Sequence, residues 1–205
     1  MDETAPPLAP RRSLTTRAEL LRATALAGAG TLAATAVIEA WPDRAASAPS
    51  PALDRRILRF MLQLERLQAG FYAAALASDV LVGELHRYAQ TAAAHERAHV
   101  AFLERALGRD APADQRARFD LTGGGAARFV AGAIALEDAA VAAYNGQAGN
   151  LSRDALAAAL EIVSVEGRHA AWIRDLGRRR PAPRAQDPGR DAAQVTGSLR
   201  AAGLL

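Results

Sequence analysis

The feature that most constrains this chain is a short pattern that occurs twice. One copy is Glu96-Arg97-Ala98-His99, followed by Phe102; the other is Glu166-Gly167-Arg168-His169, followed by Trp172. Both lie in alanine- and leucine-rich stretches without proline, which read as helix. On a helix, residues three apart share a face, with Cβ atoms about 5–6 Å apart. Glu96 and His99 can therefore point at one object, and so can Glu166 and His169. A carboxylate and an imidazole converging inside a helical bundle is metal-ligand chemistry. One such pair in an alanine-rich protein is weak evidence; two in equivalent contexts are not.

Each copy has an upstream companion. Glu65 is followed seven residues later by Tyr72, and Glu137 seven residues later by Tyr144. Glu65 and Glu137 are 72 residues apart, Glu96 and Glu166 are 70 apart, and the chain reads as one helical hairpin used twice. If Glu65 and Glu96 sit at one height on antiparallel helices, the turn between them must fall near residues 80–81, beside Ser78-Asp79. The midpoint of Glu137 and Glu166 is 151–152, where Gly149-Asn150-Leu151-Ser152 can end one helix and start the next. Both turns fall where a shared height requires them.

Four helices are expected, over about 54–77, 80–107 with an interruption at Gly83, 126–147 and 152–176. On the first, Ile57, Phe60, Met61, Leu64, Leu67, Gln68 and Phe71 trace the inward face, with Glu65 near its edge. Residues 108–125 form a polar connection without periodicity. At about 3.3–3.6 Å per extended residue it is long enough to run the length of a helix, which permits a long crossover as well as simple up-down topology.

Composition removes several alternatives. The chain has no cysteine, which excludes disulfides, thiolate zinc sites, iron–sulfur clusters, cysteine nucleophiles and a lipoprotein anchor. Half of its 205 residues are hydrophobic but few are aromatic, which favours closely packed helices around one core. All its strongly basic residues are arginine.

The two ends read differently from the centre. In residues 1–48, Arg11-Arg12 and Arg17 precede an uncharged run over 23–38, and Ala46-Ser47-Ala48 would suit a signal peptidase. That order is expected of an export signal of the twin-arginine kind; the alternative is a membrane anchor retained through residues 23–38. Residues 49–177 form the bundle. Residues 178–205, rich in Arg, Pro and Gly, are expected to be a disordered tail. The tail carries a net +4 and the bundle −1, so the basic balance does not belong to the bundle. A solvated tail is the plain reading, and nucleic acid is not an expected partner.

Glu, Glu-x-x-His, Glu, Glu-x-x-His on four successive helices resembles the ferritin-like superfamily of dinuclear carboxylate proteins. The export signal and His95-Glu96-Arg97-Ala98-His99-Val100-Ala101-Phe102-Leu103 narrow the resemblance to exported bacterial ferritin-like domain proteins, a group that includes desiccation-related proteins. The resemblance implies an all-α, ferritin-like four-helix bundle and a ligand set of Glu65, Glu96, His99, Glu137, Glu166 and His169, with every position present. It also implies that Glu96 and Glu166 bridge, that Glu65 and Glu137 bind terminally, and that His99 and His169 each cap one metal. Four carboxylates and two imidazoles suit two iron ions or, alternatively, two manganese ions.

Tyr72 and Tyr144 share the stripe of Glu65 and Glu137 and are either core or donors to the ligands. Phe102 and Trp172 read as core, His95 as surface or ligand support, and His86, Glu84, Arg97 and Arg168 as solvent-facing. Two function classes follow. One is redox chemistry on Fe(II), peroxide or oxygen, by a ferroxidase- or catalase-like enzyme. The other is a non-catalytic stress- or desiccation-related protein or iron store. Small oxidants and metal ions are the expected partners, with the twin-arginine export machinery and a possible homo-oligomer. The expected location is periplasmic or otherwise extracytoplasmic.

Overall fold

The computed structural model describes residues 48–114, 119 and 125–205. The expected export signal, including the run 23–38, lies outside the described residues up to position 47. Among the described residues there are helices but no strands, and no helix is long and apolar enough to cross a membrane.

Four long helices carry the bundle: α1 (Pro51–Ala77), α2 (Gly83–Leu107), α3 (Gly125–Gln147) and α4 (Arg153–Leu176). Local chemistry sets their ends. Ser50 caps α1 by accepting from the Leu53 amide at 3.3 Å, with Pro51 in the first turn, where no amide hydrogen is needed. After α1, Asp79 turns the chain at a φ of 53°. The second helix begins at Gly83, with a φ of 58°, and is not interrupted there. Glycine at that φ is the residue that starts the helix, which shortens the expected 80–107 at its front. Gly108, with a φ of 54°, ends α2.

The packing resolves the topology. α1 lies against α2 and α3, and α4 lies against α2 and α3, so α2 and α3 occupy a diagonal. Tyr72 meets Glu137 while Tyr144 meets Glu65, so α1 and α3 run antiparallel. Tyr88 packs edge-on against Trp172 and His95 bonds His169, so α2 and α4 are antiparallel as well. The order is therefore up, down, down, up, which requires the α2–α3 connection to traverse the bundle. Its described residues do so along α1: Asp110 pairs with Arg59, the Pro112 carbonyl accepts from Arg66 at 2.8 Å, and Phe119 packs edge-on against Phe71. Phe71 also stacks on Phe129 at 5.6 Å, closing the core at that end.

The expected disordered tail is corrected. Residues Ala192–Ala201 form a fifth helix, α5, that packs on α3. Its start is a capping box: Asp191 accepts from the Gln194 amide at 2.8 Å, and Gln194 accepts from the Asp191 amide at 3.0 Å. Val195 and Leu199, one turn apart, are buried in the core. Net charge over the whole segment hid this local signal, because the arginines lie mostly outside the helix.

A glycine contact ties the segment down. The Arg190 amide donates to the Ala142 carbonyl at 2.8 Å, and a Cβ at Gly146 would lie 2.0 Å from the Arg190 carbonyl oxygen. We predict that Gly146→Ala forces this backbone off α3 at a cost of about 1–3 kcal/mol, although alanine is the better helix former. Trypsin should then cut among Arg178–Arg190 much faster than in the wild type. Gly197→Ala, whose added Cβ meets nothing within 4 Å, should not speed cleavage. Equal cleavage of the wild type and Gly146→Ala would refute the contact.

Candidate metal centre

Each of the four long helices presents carboxylate chemistry at the same height. α1 contributes Glu65, Gln68 and Tyr72, and α2 contributes Tyr88, Glu96 and His99. α3 adds Glu137 and Tyr144, and α4 adds Glu166 and His169. Ala92 and Ala93 on α2 and Ala140 and Ala143 on α3 are buried beside them, and their small side chains let the backbones approach closely enough for short acidic side chains to meet. All four glutamates are 0% exposed; His99 is 9% and His169 3% exposed.

All six expected residues come together, in two overlapping groups. Glu65, Glu96, His99 and Glu166 form one; Glu96, Glu137, Glu166 and His169 form the other. Within each group the candidate ligand atoms lie within 4.8 Å of one another. Glu96 and Glu166 belong to both. Nδ1 of His99 lies 3.2 Å from Glu65, 3.1 Å from Glu96 and 3.1 Å from Glu166. Nδ1 of His169 faces Glu96 at 3.1 Å and Glu137 at 3.6 Å.

Phenols and an amide hold the carboxylates. Tyr144 donates to Glu65 at 2.7 Å, and Tyr72 donates to Glu137, a reciprocal exchange between α1 and α3. Tyr88 adds a second phenol to Glu137 at 3.2 Å and bonds Tyr72 at 2.9 Å. Gln68 donates to Glu137 at 3.3 Å and to Glu166 at 3.1 Å. His95, exposed on α2, places Nδ1 2.9 Å from Nε2 of His169, with the two rings stacked at 5.1 Å. Phe102 and Trp172 are half-buried against the core, His86 is half-buried, and Glu84, Arg97 and Arg168 are exposed.

Sequence reasoning placed Gln68 only on the apolar face and missed Tyr88. Signals for both were present: Glu65-x-x-Gln68 has the spacing of Glu-x-x-His, and Tyr88 lies three helical turns before His99.

Crowding four carboxylates in a dry interior perturbs their chemistry. Burial, opposed by His99, raises the Glu65 carboxyl to about 7, and burial with the charge of Glu166 raises Glu137. Burial disfavours a charged His99, but the adjacent carboxylates of Glu166, Glu65 and Glu96 outweigh it and push His99 up to about 12. His169 is raised to about 10 by the nearby carboxylates of Glu137 and Glu96, against its burial. Burial, and then the adjacent Glu137 or Glu65, keep the three tyrosines protonated and able to donate.

Among the described residues, several buried polar atoms nevertheless lack hydrogen-bond partners: Nδ1 of His169, Oε1 of Glu96, Oε1 of Glu166 and Oε1 of Gln68. Each such atom costs about 1–3 kcal/mol. Three of the four lie on the six converging residues: Oε1 of Glu96 faces Nδ1 of His169, and Oε1 of Glu166 faces Nδ1 of His99. Hard oxygens and imidazole nitrogens left open in this way fit divalent iron or manganese.

The family model for the ferritin-like domain matches residues 53–178, which takes in nearly all of α1–α4. The chain belongs to the ferritin-like family. No curated protein matches it. The match ends at residue 178, before α5.

Proposed function

We propose that this ferritin-like domain holds two iron ions, or two manganese ions, and performs redox chemistry on Fe(II), peroxide or oxygen. The observation that carries the reading is the division of the six residues into two groups that share Glu96 and Glu166. Glu65 and His99 would complete one position and Glu137 and His169 the other, with Glu96 and Glu166 available to both. A metal pair held in this way supplies charge stabilisation and electrons to a small oxidant. Four carboxylates offset the charge of two divalent ions. Tyr72, Tyr88, Tyr144 and Gln68 orient the carboxylates through the bonds described above, and the surrounding alanines exclude bulk water.

The same proposal places the protein outside the cytoplasm. Its support is the paired arginines, the uncharged run 23–38 and the Ala46-Ser47-Ala48 stretch. Export by a folded-protein route would allow the metals to be loaded first.

The redox reading is tested by supplying the chain anaerobically with Fe(II), adding oxygen or peroxide, and following the remaining Fe(II) with a chromogenic chelator. Fe(II) should disappear well above its rate in buffer, and His99→Ala and His169→Ala should each lose most of that excess, about 10-fold or more. Oxidation no faster than in buffer with both oxidants would sink the redox reading. Uptake of many irons per chain would favour a store.

A further inference from the structure

We infer that His95 is a positioning residue for His169, making the Glu137/His169 position the tighter of the two; this rests on the dinuclear reading above. The two halves of the site are alike in their ligands but not in their support. His169 is held at one nitrogen: its Nε2 lies 2.9 Å from Nδ1 of His95, and the two rings stack at an angle of 13°. Its other nitrogen, Nδ1, faces Glu96 and Glu137 and has no hydrogen-bond partner among the described residues. A nitrogen that binds metal must offer a lone pair, so the proton of a ligating His169 belongs on Nε2. There it donates to Nδ1 of His95, which fixes the tautomer and the ring plane together.

His99 has no such prop. Among the described residues its polar contacts are all made through Nδ1, to glutamates of the site. The sequence repeats the difference: with Glu96 matched to Glu166, the counterpart of His95 is Val165, which can neither donate nor accept through its side chain. Further support gathers at the same pole. Glu137 takes hydrogen bonds from Tyr72, Tyr88 and Gln68, whereas among the described residues Glu65 takes one phenol, Tyr144, besides its bond with His99. A ligand already set in its bound orientation loses less freedom when the ion arrives.

The test uses the full chain and Mn(II), with free Mn(II) counted by its electron paramagnetic resonance signal. Wild type should take up two ions with separable dissociation constants. His95→Leu should weaken one of them by about 10–100-fold and leave the other within about threefold. His95→Gln, whose amide oxygen can accept from His169, should restore most of the loss. Because His95 lies on the exposed side of α2, neither change fills the core. Equal weakening at both positions, unchanged constants in His95→Leu, or a loss in His95→Gln as large as in His95→Leu would each overturn the assignment. A wild type that binds fewer than two ions would instead remove the dinuclear reading, whatever the variants do.

Discussion

Glu96→Ala should empty both halves of the site, whereas Glu65→Ala should empty one. Glu96 belongs to both converging groups, and so does Glu166; Glu65 and Glu137 belong to one each. Metal content is therefore expected to fall from about two ions per chain to near none in Glu96→Ala and Glu166→Ala. It should fall to about one in Glu65→Ala and Glu137→Ala. His99→Ala should behave like Glu65→Ala. Folding should survive these changes, because removing one carboxylate from a crowded, dry cluster relieves like-charge repulsion as well as losing bonds. Elemental analysis of each variant, alongside its helix content, decides the matter. A Glu96→Ala protein that retained two ions would show that this carboxylate is not shared.

The second large effect is on stability, and its sign follows from the shifted groups. Glu65 is raised from 4.5 to about 7, so its contribution is fully present below 4.5 and is lost as the pH rises through about 7. His99 and His169 are raised from 6.5 to about 12 and about 10, so theirs are fully present below 6.5 and are lost as the pH climbs through those values. All three act in one direction. The melting temperature of the metal-free protein should decline between about pH 5 and pH 10.

Divalent ions compete with protons for the same oxygens and nitrogens, so metal affinity should fall as the pH falls. At about 1,000 times the dissociation constant, each filled position adds about 4 kcal/mol. For a chain of this size that raises the melting temperature by about 8–16 °C. Calorimetry with and without Mn(II) at several pH values checks both signs. The metal-induced gain should widen as pH rises; a gain that shrank with rising pH would contradict the account.

Much of this was legible before any coordinates. The paired Glu-x-x-His motifs and their companions located the helices and the six converging residues, because a 3.6-residue period leaves few ways to bring them together. Midpoint arithmetic placed both turns for the same reason. What was not legible depended on contacts between helices. The 108–125 connection fitted two topologies until Arg59, Arg66 and Phe71 were seen to receive it. His95 points away from its own helix's inward stripe, and only the approach of α4 gives it His169 as a partner. The C-terminal segment was judged on composition, although Asp191-Ala192-Ala193-Gln194 with Val195 and Leu199 spelled a capped amphipathic turn. Average charge describes solvation well and local capping badly.

The most direct test of the central claim is the metal content of the wild-type chain, expressed with both iron and manganese available and measured by elemental analysis. The account predicts about two ions of iron or manganese per chain. A folded helical protein that carries none, and takes up neither metal on reconstitution, would contradict it and leave a structural bundle.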